Sequence, residues 1–200
     1  MSTDVSSHAW WLASRSVGVI ALLLISLSVC LGLAMSARVA RGPGVAARVK
    51  TSHEALALAG LAAIALHGAL LLGDSWLHPS LAQIAIPFEI ATHRFWTGIG
   101  VLAGWLTALV TASFYVRRWI GTRAWRKLHM LTFAIYAMGV AHAIGAGTDG
   151  GSPWMLLTIA AAALPITVLL ALRLAKPQRQ GRHAPRSRAG SPSQGLPAAP

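Results

Sequence analysis

Four histidines stand inside strongly apolar sequence. His53 and His67 lie in "KTSHEALALAGLAAIALHGALLLG", and His129 and His142 lie in "RKLHMLTFAIYAMGVAHAI". Ionisable side chains inside a membrane span are costly and mark function. Imidazole can ligate a metal or carry a proton. A metal cage needs further Cys, Asp or Glu ligands, and Glu54 is the one carboxylate in either stretch. A proton relay needs polar residues between the histidines, where Ala, Leu and Ile predominate. Paired imidazoles in apolar surroundings suit bis-histidine haem: each helix gives one axial nitrogen, the macrocycle is apolar, and its propionates seek positive charge. Arg48, Lys50, Arg126 and Lys127 are the propionate candidates at one end, and Arg94 with His93 at the other.

The elements that must position these residues are membrane helices. Of 200 residues, 55% are hydrophobic and 11% charged, against about 25% charged in a soluble domain. Apolar runs of about 20 residues span a bilayer as helices. Five such spans are expected, over 16–37, 53–73, 95–116, 128–146 and 154–175. The fold class is therefore all-α, a five-span integral membrane bundle. The first run is too long for a signal-peptide core and carries its positive charge mostly after it, so it reads as a retained anchor.

Positive charge sets the expected direction. Arg38, Arg41, Arg48 and Lys50 follow the first span; Arg117, Arg118, Arg123, Arg126 and Lys127 follow the third; Lys176, Arg179, Arg182, Arg186 and Arg188 follow the fifth. Cytoplasmic loops hold such excess, which places the N-terminus outside and the C-terminus in the cytoplasm, in a multi-pass protein of the cell membrane. Trp76, Trp96 and Trp154 then mark outer ends, and Trp119 and Trp125 inner ones. Gly100 and Gly104 form a small-xxx-small pair that lets helices approach. Cys30 is the one cysteine, which excludes a disulfide framework and a thiolate cluster. The net charge of +12 does not make a nucleic-acid binder, because no soluble domain is left over to bind.

The second and fourth spans run in the same direction. At about 1.5 Å per residue, their histidines form two levels about 20 Å apart. His53 faces His129 toward the cytoplasmic side, and His67 faces His142 toward the outer side. At 100° per residue, the 14-residue interval turns by only about 40°, whereas the 13-residue interval turns by about 140°. The fourth helix must then bend, with Gly139 as the expected place, or present its histidines on different sides. One haem b or two are both open on this geometry.

The pattern H-x13-H in one helix and H-x12-H two helices later resembles the ferric reductase-like transmembrane domain. The stretch "FWTGIGVLAGWLTALVTASFYVRRWIGTRAWRKLHMLTFAIYAMGVAHAI" is similar to bacterial members, among them the haem-binding membrane subunits of methionine-sulfoxide reductase systems; the NADPH oxidases share the superfamily. The resemblance covers about 14–175 and implies haem held by His53 with His129 and by His67 with His142, with electrons passing across the membrane. It departs from the ferric reductases and NADPH oxidases after Ala175, where no flavin- and NADPH-binding domain follows. An oxidoreductase component of this kind takes electrons from a separate flavoprotein or quinol and hands them to a separate acceptor.

The chain thus divides into an N-terminal tail (1–13), the transmembrane domain (14–175) and a disordered basic tail (176–200) rich in Pro, Arg, Ser and Gly. The contrary reading is a membrane protein without haem, whose histidines are packing or pH-sensing groups. The outer loop, 74–94, includes the apolar "LAQIAIPFEIATH", suited to lying along the interface. Its Asp74, His78, Glu89 and His93 form a candidate docking patch for a metal substrate.

Overall fold

The computed structural model describes residues 5–39 and 42–175. The basic tail from Lys176 lies outside these residues. The order is α1 (Val5–Ser36), α2 (Val45–Leu70), which runs on into a 3-10 turn over Leu71–Gly73, α3 (Leu81–Ala85), α4 (Arg94–Ile120), α5 (Thr122–His129), α6 (Thr132–Gly145) and α7 (Pro153–Ala175). No strand occurs among the described residues. Five helical stretches are long and apolar enough to cross a membrane: His8–Ser36, Val45–Gly73, Arg94–Ile120, Thr122–Gly145 and Pro153–Ala175. Each corresponds to one expected span.

Two boundaries differ from the sequence reading. Helix α1 begins at Val5, so residues 5–13, read as tail, are its first turns. The basic segment after the third span is helical as well, with only Gly121 (φ 82°) between α4 and α5. Arginine and lysine have long apolar stems whose charged ends reach away from hydrocarbon. A helix can therefore continue through them beyond the apolar window that marks a span.

Helix α1 packs against α2, α6 and α7, and α4 packs against α2, α5 and α6. Helix α2 has no comparable backbone contact with α5 or α6. The helices therefore form a ring in the order α2, α1, α6, α4, with α7 outside on α1. Helices α1 and α4 are side walls, and α2 and α6 face each other across the space between. On the outside of the bundle, Leu109, Leu157 and Leu164 are each more than 60% exposed. Such side chains are stable there in contact with lipid.

The loop between α2 and α4 is fastened to α4. Phe88 lies against Gly98, Trp105 Nε1 donates to the Ala85 carbonyl at 2.7 Å, and Arg94 Nε donates to the Phe88 carbonyl at 2.7 Å. Helix α3, in its apolar stretch, starts at a capping box: Gln83 N–H donates to Ser80 Oγ, and Ser80 N–H donates to Gln83 Oε1. The two bonds satisfy donors that a helix start leaves open.

Helices α1 and α2 approach closely at Gly60, where an added Cβ would lie 2.6 Å from Ile25 Cδ1. Gly60→Leu should therefore destabilise the chain by about 1–3 kcal/mol through overpacking. Thermal unfolding of the purified protein in detergent measures this, and an unchanged midpoint would contradict the packing.

Candidate functional site

The four intramembrane histidines meet in two pairs. The ring centres of His53 and His129 are 6.1 Å apart, and those of His67 and His142 are 6.2 Å apart. The rings of each pair are steeply crossed, at 86° and 75°. A metal held between two imidazoles at about 2 Å per nitrogen bond sets the ring centres about 6 Å apart. Both separations match one ion per pair.

The winding of the fourth span helps both histidines reach α2. Four α-helical turns take about 14.4 residues, which suits the interval from His53 to His67. The shorter interval from His129 to His142 needs tighter winding to bring both rings to one face. The helix supplies part of it at Met130–Leu131, between α5 and α6, about 60° of the about 140°. Leu131 N–H donates to the Leu128 carbonyl at 3.0 Å, Phe133 N–H to Met130 at 3.4 Å, and Met130 N–H is shared between the Arg126 and Lys127 carbonyls. These i→i−3 bonds each add roughly 20° of turn over an α-helical step. The distortion therefore falls beside His129 and not at Gly139, which stays inside α6.

Three of the four rings are held by one repeated device. His67 Nδ1 donates to the Ser14 carbonyl at 2.8 Å, His53 Nδ1 to the Ser28 carbonyl at 2.8 Å, and His142 Nδ1 to the Trp96 carbonyl at 2.9 Å. A carbonyl only accepts, so Nδ1 carries the proton and Nε2 is the nitrogen left to ligate. Four residues after each carbonyl stands a glycine: Gly18, Gly32 and Gly100. An added Cβ on Gly18 would lie 2.9 Å from His67 Nδ1, one on Gly32 would lie 3.2 Å from His53 Cε1, and one on Gly100 would run into the His142 ring. The missing side chain lets the imidazole lie on the helix and reach a carbonyl in its ladder. Ser14 and Ser28 answer with their hydroxyls, which donate to the His67 and His53 carbonyls at 2.9 and 3.1 Å.

His129 is held differently. Its ring stacks on Trp125 at 5.1 Å and 21°, and Trp125 meets Phe114 edge-on at 6.0 Å. Midway between the two levels, Ser26 and Tyr136 share a hydroxyl–hydroxyl hydrogen bond of 3.0 Å.

A cavity of about 1510 Å³ runs between the helices and is lined by all four histidines. It exceeds the roughly 300–1,000 Å³ of a pocket for one drug-sized ligand. Among the propionate candidates, Lys50, Arg126, Lys127 and His93 line it. Arg48 and Arg94 are not on its wall, and Arg94 is engaged with Phe88. Arg15, missed in the sequence, lines the His67 end. Its guanidinium lies 5.0 Å from the Trp11 ring and 5.7 Å from the Trp154 ring, and it is paired with Asp149.

The outer-loop patch does not gather. Asp74 is only 2% exposed, and its Oδ1 accepts the Trp76 N–H at 2.9 Å. No group of three or more His, Cys, Asp or Glu side chains comes together among the described residues. The α1 residues also escaped the sequence reading, though a signal was present. Ser-x3-Gly occurs at 14–18 and again at 28–32, at the same interval as His53 and His67.

Comparison with protein-family models, with curated proteins and with solved structures returns no match.

Ser14→Ala and Ser28→Ala should each remove one interhelical hydrogen bond and destabilise the chain by about 0.5–1.5 kcal/mol. The two effects should add within about 0.3–0.5 kcal/mol, because the sites are four turns apart. Unfolding of the single and double variants in detergent tests this, and strong coupling between them would show that α1 and α2 do not pair in this register.

Proposed function

We propose that this chain is a bis-histidine b-type haem protein that carries electrons across the cell membrane as the membrane component of a redox system, of the ferric reductase-like kind. The observation that carries the reading is the pair of imidazole–imidazole separations, 6.1 and 6.2 Å, across a slot between helices with little backbone contact. The donor set fits the group. It consists of neutral nitrogen ligands in apolar walls, with three Nδ1 protons on backbone carbonyls and cations at the margins.

Haem bound there would supply one-electron redox chemistry. The chain's own residues do the rest. His53 and His129 would ligate at one level, and His67 and His142 at the other. Ser14, Ser28 and the Trp96 carbonyl fix ring orientation, and outer-shell partners of this kind raise the basicity of a ligating imidazole. Lys50, Arg126 and Lys127 are placed to meet anionic groups at the His53 end, and Arg15 at the His67 end. The basic ends of the spans favour the His53 level toward the cytoplasm. The electron donor is a separate flavoprotein or quinol, and the acceptor is separate too.

The purified chain should show a reduced-minus-oxidised b-type absorbance and a haem-to-protein ratio near two by pyridine haemochrome. His67→Ala should lower the ratio to about one. Gly18→Val should do the same, since its side chain takes the space of the His67 ring. Haem content that stays unchanged in both variants would refute the assignment, as would a wild-type chain without haem.

A further inference from the structure

The device that holds three of the imidazoles is absent at the fourth, and the absence is written in α4. On α1 the glycines recur at the interval of the α2 histidines, with Gly18 under His67 and Gly32 under His53. On α4, Gly100 lies under His142, and the same interval further along stands Phe114. A phenyl ring occupies the position where a second glycine would admit His129 to the α4 backbone. Phe114 instead meets Trp125, and Trp125 stacks on His129. No hydrogen bond reaches the His129 ring among the described residues, and the neighbouring Trp125 Nε1 is buried without an acceptor.

Charge is divided in the same sense. Around the His53–His129 level the cavity is lined by Lys50, Arg126, Lys127 and Arg173, the last in contact with Met130 Sδ at 3.7 Å. The one carboxylate there is Glu54, 3.6 Å from Lys50. At the His67–His142 level, the Arg15 charge is matched by Asp149, and His93 also lines the wall.

We infer that the two histidine levels are electronically unequal, and that the His53–His129 level holds an electron more tightly than the His67–His142 level. This rests on the haem reading above. Two independent effects point the same way. An imidazole whose Nδ1 proton is given to a carbonyl is the more basic ligand and stabilises the ferric state; the His67–His142 level has two such rings and the His53–His129 level one. Reduction lowers the net charge of a centre, so unbalanced cations nearby favour the ferrous state. The change is one electron per centre, ferric to ferrous, with both nitrogen bonds kept. Phe114 and Trp125 are positioning residues in this account. They act through His129.

The test is mediated potentiometry of the full chain, followed at the b-type absorbance. The wild type should resolve into two one-electron components. His53→Ala should remove the component of higher potential, and His67→Ala the lower. Arg126→Gln with Lys127→Gln, which leaves every ligand in place, should lower the higher component and leave the other unmoved. Two haems in reversed order, or a double variant that shifts both components alike, overturn the inference while leaving the haem reading standing. A wild-type chain without haem overturns both.

Discussion

The structure depends on one interaction, a ring N–H given to a helix carbonyl across the space left by a glycine. In hydrocarbon no water can satisfy an imidazole proton, and an unpaired buried donor costs about 1–3 kcal/mol. The carbonyl at position i has a second lone pair beyond the one its helix uses. It can be reached only if the side chain at i+4 is absent. Where this occurs twice on α1, at Ser14 and Gly18 and again at Ser28 and Gly32, it fixes both the direction of α2 and its register. The serine hydroxyls close the pairing from the other side. Small residues are the usual means of close helix approach in membranes. Here what approaches is a side chain rather than a backbone.

From that pairing the slot follows. Helix α1 holds the rings of α2, and α4 holds the His142 ring of α6. Two walls therefore grip the histidine-bearing helices while keeping them apart. Besides their charge, the two levels differ in how the last ring is supported: by a carbonyl at His142, by an indole face at His129. The difference in ring support is local, and it goes with Phe114 standing one repeat beyond Gly100.

Much of this was legible in the sequence. The five spans show as apolar runs, and the pairing of His53 with His129 and His67 with His142 follows from two intervals of near four turns on parallel helices. The reach of α1 back to Val5 was not legible, because charged and indole residues mark the end of hydrocarbon and not of the helix. Nor was the place of the bend. A sequence shows that the interval from His129 to His142 falls short of four relaxed turns. It does not show where the ladder tightens, because Gly139 has low helix propensity while Met130 and Leu131 are good helix formers. The supporting role of α1 was hidden because serine and glycine are common in membrane helices, and only their interval, compared with that of the histidines, distinguishes them. The Arg15–Asp149 pair joins residues far apart in the chain, which a single sequence does not bring together.

The α1–α2 hairpin has a consequence for synthesis. Its internal bonds join residues up to His67 alone, so two of the four imidazoles are oriented by sequence that precedes the loop and α4. Their counterparts, His129 on α5 and His142 on α6, are translated only after the outer loop and the whole of α4. The α1–α2 pair thus holds its two rings without any contribution from α5 or α6.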